Sequence, residues 1–200
     1  RLGHTMTIVN FPAKRSLVEV NNGSVEGELA RGSIIEAGNP NLIRIPYAIG
    51  TVKMVAGQVK NTPQISQIAQ LKNQRIGVMR GLVVTDKMTE KMLREMYNDL
   101  TGLFKGLIND RVDVILFTKL GAEHFLRKYQ LEDKLVISAQ PLLEIPLYHY
   151  LHQRSNGIAQ ALTAEMKKMH TAGELHDLIK AEEQRLIRTL VDPFIDASGQ

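Results

Sequence analysis

Short apolar runs alternate along this chain with longer stretches whose apolar residues recur every three to four positions, the pattern of strands interleaved with helices. Met6-Thr7-Ile8-Val9 reads as a first strand. Residues 13–21 read as a helix that buries Leu17, Val18 and Val20 and stops at Asn22-Gly23. Gly27-Glu28-Leu29-Ala30 reads as a strand, Asn39-Pro40-Asn41 as a turn, and residues 42–55 as extended chain interrupted at Pro46 and Gly50. Ile68 and Leu71 predict a short helix, residues 75–79 a strand, and Gly81 a tight turn. A helix is then predicted from a cap at Thr85 or Asp86, carrying Met88, Met92, Leu93 and Met96 on one face. Leu103, Leu107 and Ile108 predict another helix, residues 112–117 a strand, 122–128 a helix and 135–137 a strand. The last part holds an extended run at 147–151 and a helix at 158–169 that buries Ile158, Leu162, Met166 and Met169. A glycine stop follows at Ala172-Gly173. The final helix, from Glu174 to about Leu190, buries Leu175, Leu178, Ile179, Leu186 and Leu190 and ends at Pro193.

Composition narrows the class. With 200 residues and 44% hydrophobic content the chain can bury a real core, as one large domain or two small lobes. Charged residues make up 23%, an ordinary globular share. The net charge of +4 is dispersed: pairs such as Lys14-Arg15 and Lys167-Lys168 are short, and acids lie near most of them. Aromatics are 5%, so the interleaved basic and aromatic stripe of a nucleic-acid binder is missing. The absence of cysteine removes disulfides, thiolate nucleophiles and cysteine metal ligands, and is permissive of an oxidising compartment. No apolar run reaches the roughly 18 residues of a membrane-spanning helix. Arg1-Leu2-Gly3-His4 does not open a signal peptide, and the start reads as if other residues preceded it.

The phosphate-loop, dinucleotide, serine-hydrolase and zinc-protease motifs are all missing. His149 and His152 would suit a helical metal pair, but on an extended strand they point to opposite faces. No metal or cofactor is therefore expected. Ser24 beside Gly23 reads as a turn residue. Two local groups carry chemistry. Residues 79–85 run from a strand through Gly81 into a helix start, whose unpaired N–H groups suit an anion, with Arg80 and the Thr85 hydroxyl alongside. Residues 26–31 set Glu26, Glu28 and Arg31 at a strand end. On local pattern alone, a plain turn capped by Thr85 and a surface Glu–Arg pair are the preferred readings of the two groups.

Taken together, these blocks resemble the bacterial extracellular solute-binding family that includes amino-acid receptors of ABC transporters. Residues 8–12 and 17–30 look like its first crossover and the glycine-acid-glycine stretch that follows. Pro46-Tyr47 is similar to its Pro-Tyr strand end. Ile68-Ala69-Gln70-Leu71-Lys72-Asn73-Gln74-Arg75-Ile76-Gly77-Val78 is similar to its Leu-Lys-Gly-Lys…Gly-Val segment. Asn109-Asp110-Arg111-Val112-Asp113-Val114 resembles its Gly-Arg-x-Asp-Ala segment, and Met166-Lys167 to Gly173 its late Met-Lys…Gly.

The resemblance implies an α/β, two-lobed periplasmic-binding-protein-like fold of type II, with a ligand cleft between the lobes. It sets one discontinuous lobe at residues 1–54 and 148–200 and the other at 55–147, joined by crossings near 52–55 and 147–150. By the same matching, Glu28, Arg31, Tyr47, Arg80, Gly81, Thr85, Phe117 and Thr118 border the ligand. Two departures stand out. The arginine that clamps an α-carboxylate shortly before the Pro-Tyr strand is absent from residues 35–40, with Arg31 as a possible substitute, and an aspartate that takes an α-amino group is replaced near Thr118. The family pattern also leads one to expect residues missing before Arg1 and around Tyr97, where no strand is apparent. The expectation is a monomeric, non-enzymatic, periplasmic protein that captures a small polar, anionic or amino-acid-like solute for a transporter permease. Alternatives are a sensing domain of a membrane receptor, or a small-acid dehydratase with Glu28 as its acid.

Overall fold

The computed structural model describes residues 1–191, and their side chains except at 13 and 187–191. In chain order the elements are α1 (Ala13–Asn21), β1 (Gly27–Arg31), β2 (Leu42–Arg44), β3 (Gly50–Val59), β4 (Ile76–Met79), α2 (Val83–Met88) and β5 (Arg94–Tyr97). They continue with α3 (Leu100–Ile108), β6 (Val114–Thr118), α4 (Lys119–Lys128), β7 (Leu135–Ile137), β8 (Leu143–His152), α5 (Asn156–Thr171) and α6 (Glu174–Val191). Short 3-10 turns lie at Ser33–Gly38, Ile68–Asn73 and Gln153–Ser155. The described chain divides into two compact units. The first is Arg1–Thr51 with Pro146–Leu186, and Val52–Ile145 forms the body of the second. The chain passes between them within β3 and returns within β8.

In the first unit β1 and β2 both run antiparallel to β8. Tyr150 stands opposite Glu28 on one side and Arg44 on the other, so β8 is the middle strand. The core under this sheet joins Ile45, Ala159, Met166 and Leu175, with Ile43, Leu151, Leu162 and Ile179 packed around them. Burying a side chain such as Ile45 stabilises the unit by roughly 1.5–3 kcal/mol. Tyr150 is fully buried, and its hydroxyl donates to Glu36 Oε1 at 2.8 Å. Burial first, and the Glu36 carboxylate second, push its ionisation well above the usual tyrosine range. Arg44 donates to the same oxygen at 3.0 Å, which ties the Ser33–Gly38 turn to both strands.

The second unit has strand order β7-β3-β6-β4-β5. Gly57 pairs with Ile137 of β7 and Ile115 of β6, so β3 lies between those strands. β4, β5 and β6 are mutually parallel, and β3 is antiparallel to β6. β6 is buried on both faces and so reads as a continuous apolar run. Ile115 and Phe117 face α3 and α4 with Leu103, Phe104, Leu107, Phe125 and Leu126. Phe104 stacks on Phe125 with centroids 3.9 Å apart and meets Phe117 edge-on at 5.0 Å. Val114 and Leu116 face the opposite cluster of Ala56, Ile65, Leu71, Ile76 and Val78. Gly77 lets α3 close onto β4, because a β-carbon there would stand 3.0 Å from Ile115 and 3.1 Å from Leu103. At the amino ends of β4 and β6, Asp113 accepts from the Arg75 backbone N at 2.7 Å, Nε at 3.0 Å and Nη2 at 2.6 Å.

Several expected elements are corrected. Residues 1–12 form no strand, and Met6, Ile8 and Val9 are 70%, 64% and 57% exposed. The helix predicted to carry Met88 through Met96 ends at Met88, and Arg94–Tyr97 is a strand paired in parallel with β4. The strand thought missing around Tyr97 is therefore present. Val18, Ile158, Leu178 and Leu186 are exposed rather than buried. The stop at Pro193 and the burial of Leu190 lie outside the described residues.

Two outcomes follow from this packing. The phenol end of Tyr97 rests against Gly106 of α3, where a β-carbon would stand 2.5 Å from Tyr97 Cζ and overlap its hydroxyl. Gly106→Ala is expected to destabilise the protein by about 1–3 kcal/mol in urea denaturation, despite the roughly 1 kcal/mol helical advantage of alanine. Combined with Tyr97→Ala, it is expected to cost less than the sum of the single changes. The Arg75 hydrogen bonds hold the Asp113 carboxyl below the usual carboxylate range. A depressed carboxylate stabilises the fold above its unfolded pKa of about 3.9 and loses that contribution as pH falls through its folded value. Asp113→Asn is thus expected to melt lower than the parent at pH 7, with the gap narrowing below about pH 4.

Candidate functional site

Parallel register brings three strand ends to one level. β4 pairs with β5 at an offset of 18 (Ile76 opposite Arg94) and with β6 at an offset of 38 (Ile76 opposite Val114). Carried to the carboxyl ends, the same offsets bring Arg80 level with Asn98 and with Thr118. The first pairing is closed by two hydrogen bonds: the Arg80 backbone N donates to the Tyr97 carbonyl at 2.8 Å, and Arg80 Nε donates to Asn98 Oδ1 at 3.0 Å. Each strand end leads at once into a helix. Asp99 caps α3 by accepting from Gly102 N at 2.7 Å, and Thr118 caps α4 by accepting from Gly121 N at 3.2 Å.

This edge is also where the winding of the unit reverses. From β4 the chain goes through α2 to β5 on one side, whereas from β6 it goes through α4 to β7 beyond β3 on the other. In open α/β sheets such a switch point leaves a crevice at the carboxyl ends of the strands, where ligands bind. Gly81 opens the turn after β4 with φ +89°, and a β-carbon there would meet nothing within 4 Å. Arg80 and Asn98 are exposed. Lys119, beside Thr118, adds a second cation, partnered at 3.8 Å by Glu123. Exposed guanidinium and ammonium groups beside helix N-termini favour a negatively charged group.

The remaining expected site residues are distributed as follows. Thr85 is fully buried in α2 and donates its hydroxyl to the Leu82 carbonyl at 3.0 Å, so it braces the turn from beneath. Phe117 is 2% exposed and belongs to the core under α3 and α4. In the first unit, Glu28 is 8% exposed and accepts from Arg31 Nη2 at 3.1 Å. The Tyr47 ring lies 5.3 Å from that of His170, beside a pocket of about 330 Å³ that His176, Leu175 and Ile179 also line. His149 lies on β8, and burial lowers its pKa below the usual histidine value. Among the described residues no group of three or more His, Asp or Glu is placed to hold a metal ion, and no helix is long and apolar enough to cross a membrane. Asn98 is the residue the sequence reading missed. The pattern Asn98-Asp99 before the Leu103/Leu107 helix was a cap signal, but it was masked by the helix assigned to the preceding residues.

No family model matches the chain. An uncharacterised protein of Shewanella oneidensis is 24% identical over 182 residues, covering 86% of this chain and 68% of that protein. Among solved structures, the GluR0 ligand-binding core in complex with L-glutamate matches with a TM-score of 0.68 at 14% identity, covering 84% of this chain and 76% of its own. The amino-acid ABC transporter substrate-binding protein AbpA of Streptococcus pneumoniae, bound to L-arginine, matches at 0.65 and 14%, covering 93% and 78%. A histidine kinase sensor domain similar to periplasmic binding proteins matches at 0.67 and 12%, covering 84% and 74%. The chain thus has the two-lobed α/β fold of periplasmic binding proteins, a fold shared by transporter-associated and sensory ligand-binding domains.

The turn itself is testable through its glycine. Gly81→Ala is expected to cost about 1–2 kcal/mol, since only backbone conformation opposes it. Gly157→Ala in α5, equally free of neighbours but without a positive φ, is expected to stabilise by up to about 1 kcal/mol in the same thermal melts.

Proposed function

We propose that this protein is an extracytoplasmic solute-binding protein that captures a small polar solute bearing a carboxylate, an amino acid or a related small acid, and delivers it to a membrane transporter. The observation that carries this reading is the level alignment of Asn98, Arg80 and Thr118 at the switch point of the second unit, with Gly81 leaving the turn unobstructed. A guanidinium there forms charge-assisted, forked hydrogen bonds to a carboxylate. Thr85 and Phe117 support the two turns from below, while Gly81 and Thr118 present backbone and hydroxyl groups to the solute.

The fold supports the reading, since neighbours with it are described as binding L-glutamate and L-arginine. A second reading, the sensing domain of a membrane receptor, has its own support in the match to a histidine kinase sensor domain. Both assign the same binding step and differ in what receives the signal or the cargo. Catalysis is not part of the proposal. Glu28, the acid considered for it, is held in an ion pair with Arg31.

The test is a thermal-shift screen of the purified chain against L-amino acids, small carboxylic acids, polyamines and sugars, followed by calorimetry on Arg80→Ala. A carboxylate-bearing solute is expected to raise the melting temperature saturably, with stabilisation approaching about 2.7 kcal/mol at a hundred times its Kd. Arg80→Ala is expected to weaken binding at least about tenfold. Stabilisation by sugars alone, or full affinity in Arg80→Ala, would count against the proposal.

A further inference from the structure

Arg80 does not stand alone at the switch point. Its Nε donates to Asn98 Oδ1 at 3.0 Å, and its backbone N donates to the Tyr97 carbonyl at 2.8 Å. The Asn98 side is anchored as well, because Asp99 holds the first turn of α3 through Gly102 N. One backbone hydrogen bond and one side-chain cap therefore hold the main chain on which the side chains of 80 and 98 meet. A guanidinium has two edges able to grip a carboxylate: the lateral edge, Nε with one Nη, and the terminal edge of both Nη groups. The bond to Asn98 occupies the lateral edge.

We infer that Asn98 is a positioning residue for solute recognition, orienting Arg80 so that it meets a carboxylate through its terminal nitrogens. The inference rests on the reading of Arg80 as the anion-binding group. With its oxygen accepting from Nε, the Asn98 amide contributes its NH2 group as a donor. The terminal nitrogens of Arg80 and the Asn98 NH2 then offer donors that suit a planar, acceptor-rich group. The carboxylate of Asp99 lies next in the chain and opposes anions, but it is engaged by Gly102 N. Lys119 is the further cation of this edge, and it is partnered by Glu123.

The experiment uses the whole chain and L-glutamate, L-arginine and acetate as probes, with isothermal calorimetry on the parent, Asn98→Ala, Asn98→Asp, Arg80→Ala and the Arg80→Ala/Asn98→Ala double variant. Arginine Nε–H signals are followed by NMR in the unliganded protein. The expected result is an Arg80 Nε–H protected from exchange in the parent and not in Asn98→Ala. Asn98→Ala should weaken an Arg80-dependent probe about two- to tenfold, and Asn98→Asp should weaken it more, since its carboxylate would pair with the guanidinium. In the double variant the Asn98 change should have no additional effect. All variants should melt like the parent, because both side chains are exposed. Binding that depends on Arg80 and is unchanged in Asn98→Ala would overturn this inference and leave the proposed function standing. Binding indifferent to Arg80, or no binding of any probe, would overturn both.

Discussion

The alignment of the second unit starts from the contact between Arg75 and Asp113. It lies at the amino ends of β4 and β6, where one carboxylate accepts from both the backbone and the guanidinium of Arg75, and Asp113 N donates back to the Arg75 carbonyl at 2.8 Å. The Arg75 side chain is 41% exposed, so the pair makes only a modest contribution to global stability. Its consequence is register. A slip of one residue would turn each strand's side chains to the opposite face, and both faces of β6 are buried. Five residues on from this contact, at the other end of the strands, stand Arg80 and Thr118.

That geometry needs close packing on the face of the sheet covered by α3 and α4. Gly77 and Gly57 leave room for Ile115, and Gly106 leaves room for Tyr97. Each glycine removes a β-carbon where two elements approach, at some cost in local propensity. The polar network of Glu36, Arg44 and Tyr150 has a comparable tethering role in the first unit, where it fastens a 3-10 turn to the sheet.

Much of this was legible in the sequence because it is written in local chemistry. The helix at 13–21, the glycine turns at Gly23, Gly81 and Gly173, and the buried run of β6 appear where the pattern set them. The misreading of residues 85–96 has a physical source. Met88, Met92 and Met96 are spaced as on one helix face, and all three do pack on one core, but they reach it from a short helix, a turn and a strand. Periodicity reported burial correctly and conformation wrongly. Leu93, 69% exposed within that stretch, was the discordant residue. Met6–Val9 has the composition of a strand but pairs with no strand among the described residues. At the candidate site, the local pattern showed a glycine turn at Arg80-Gly81, and only the family resemblance pointed to it as ligand-binding. Asn98 was not legible, because its partnership with Arg80 follows from a strand offset that no local pattern encodes.

The carboxyl edge of β4, β5 and β6 is the surface we propose for solute recognition. Hydrogen–deuterium exchange, with and without a solute that raises the melting temperature, addresses it most directly. Slowed exchange concentrated at residues 80–83, 98–102 and 118–121 is the predicted result. Protection confined to other segments, with these three turns exchanging as fast as in the free protein, would contradict it.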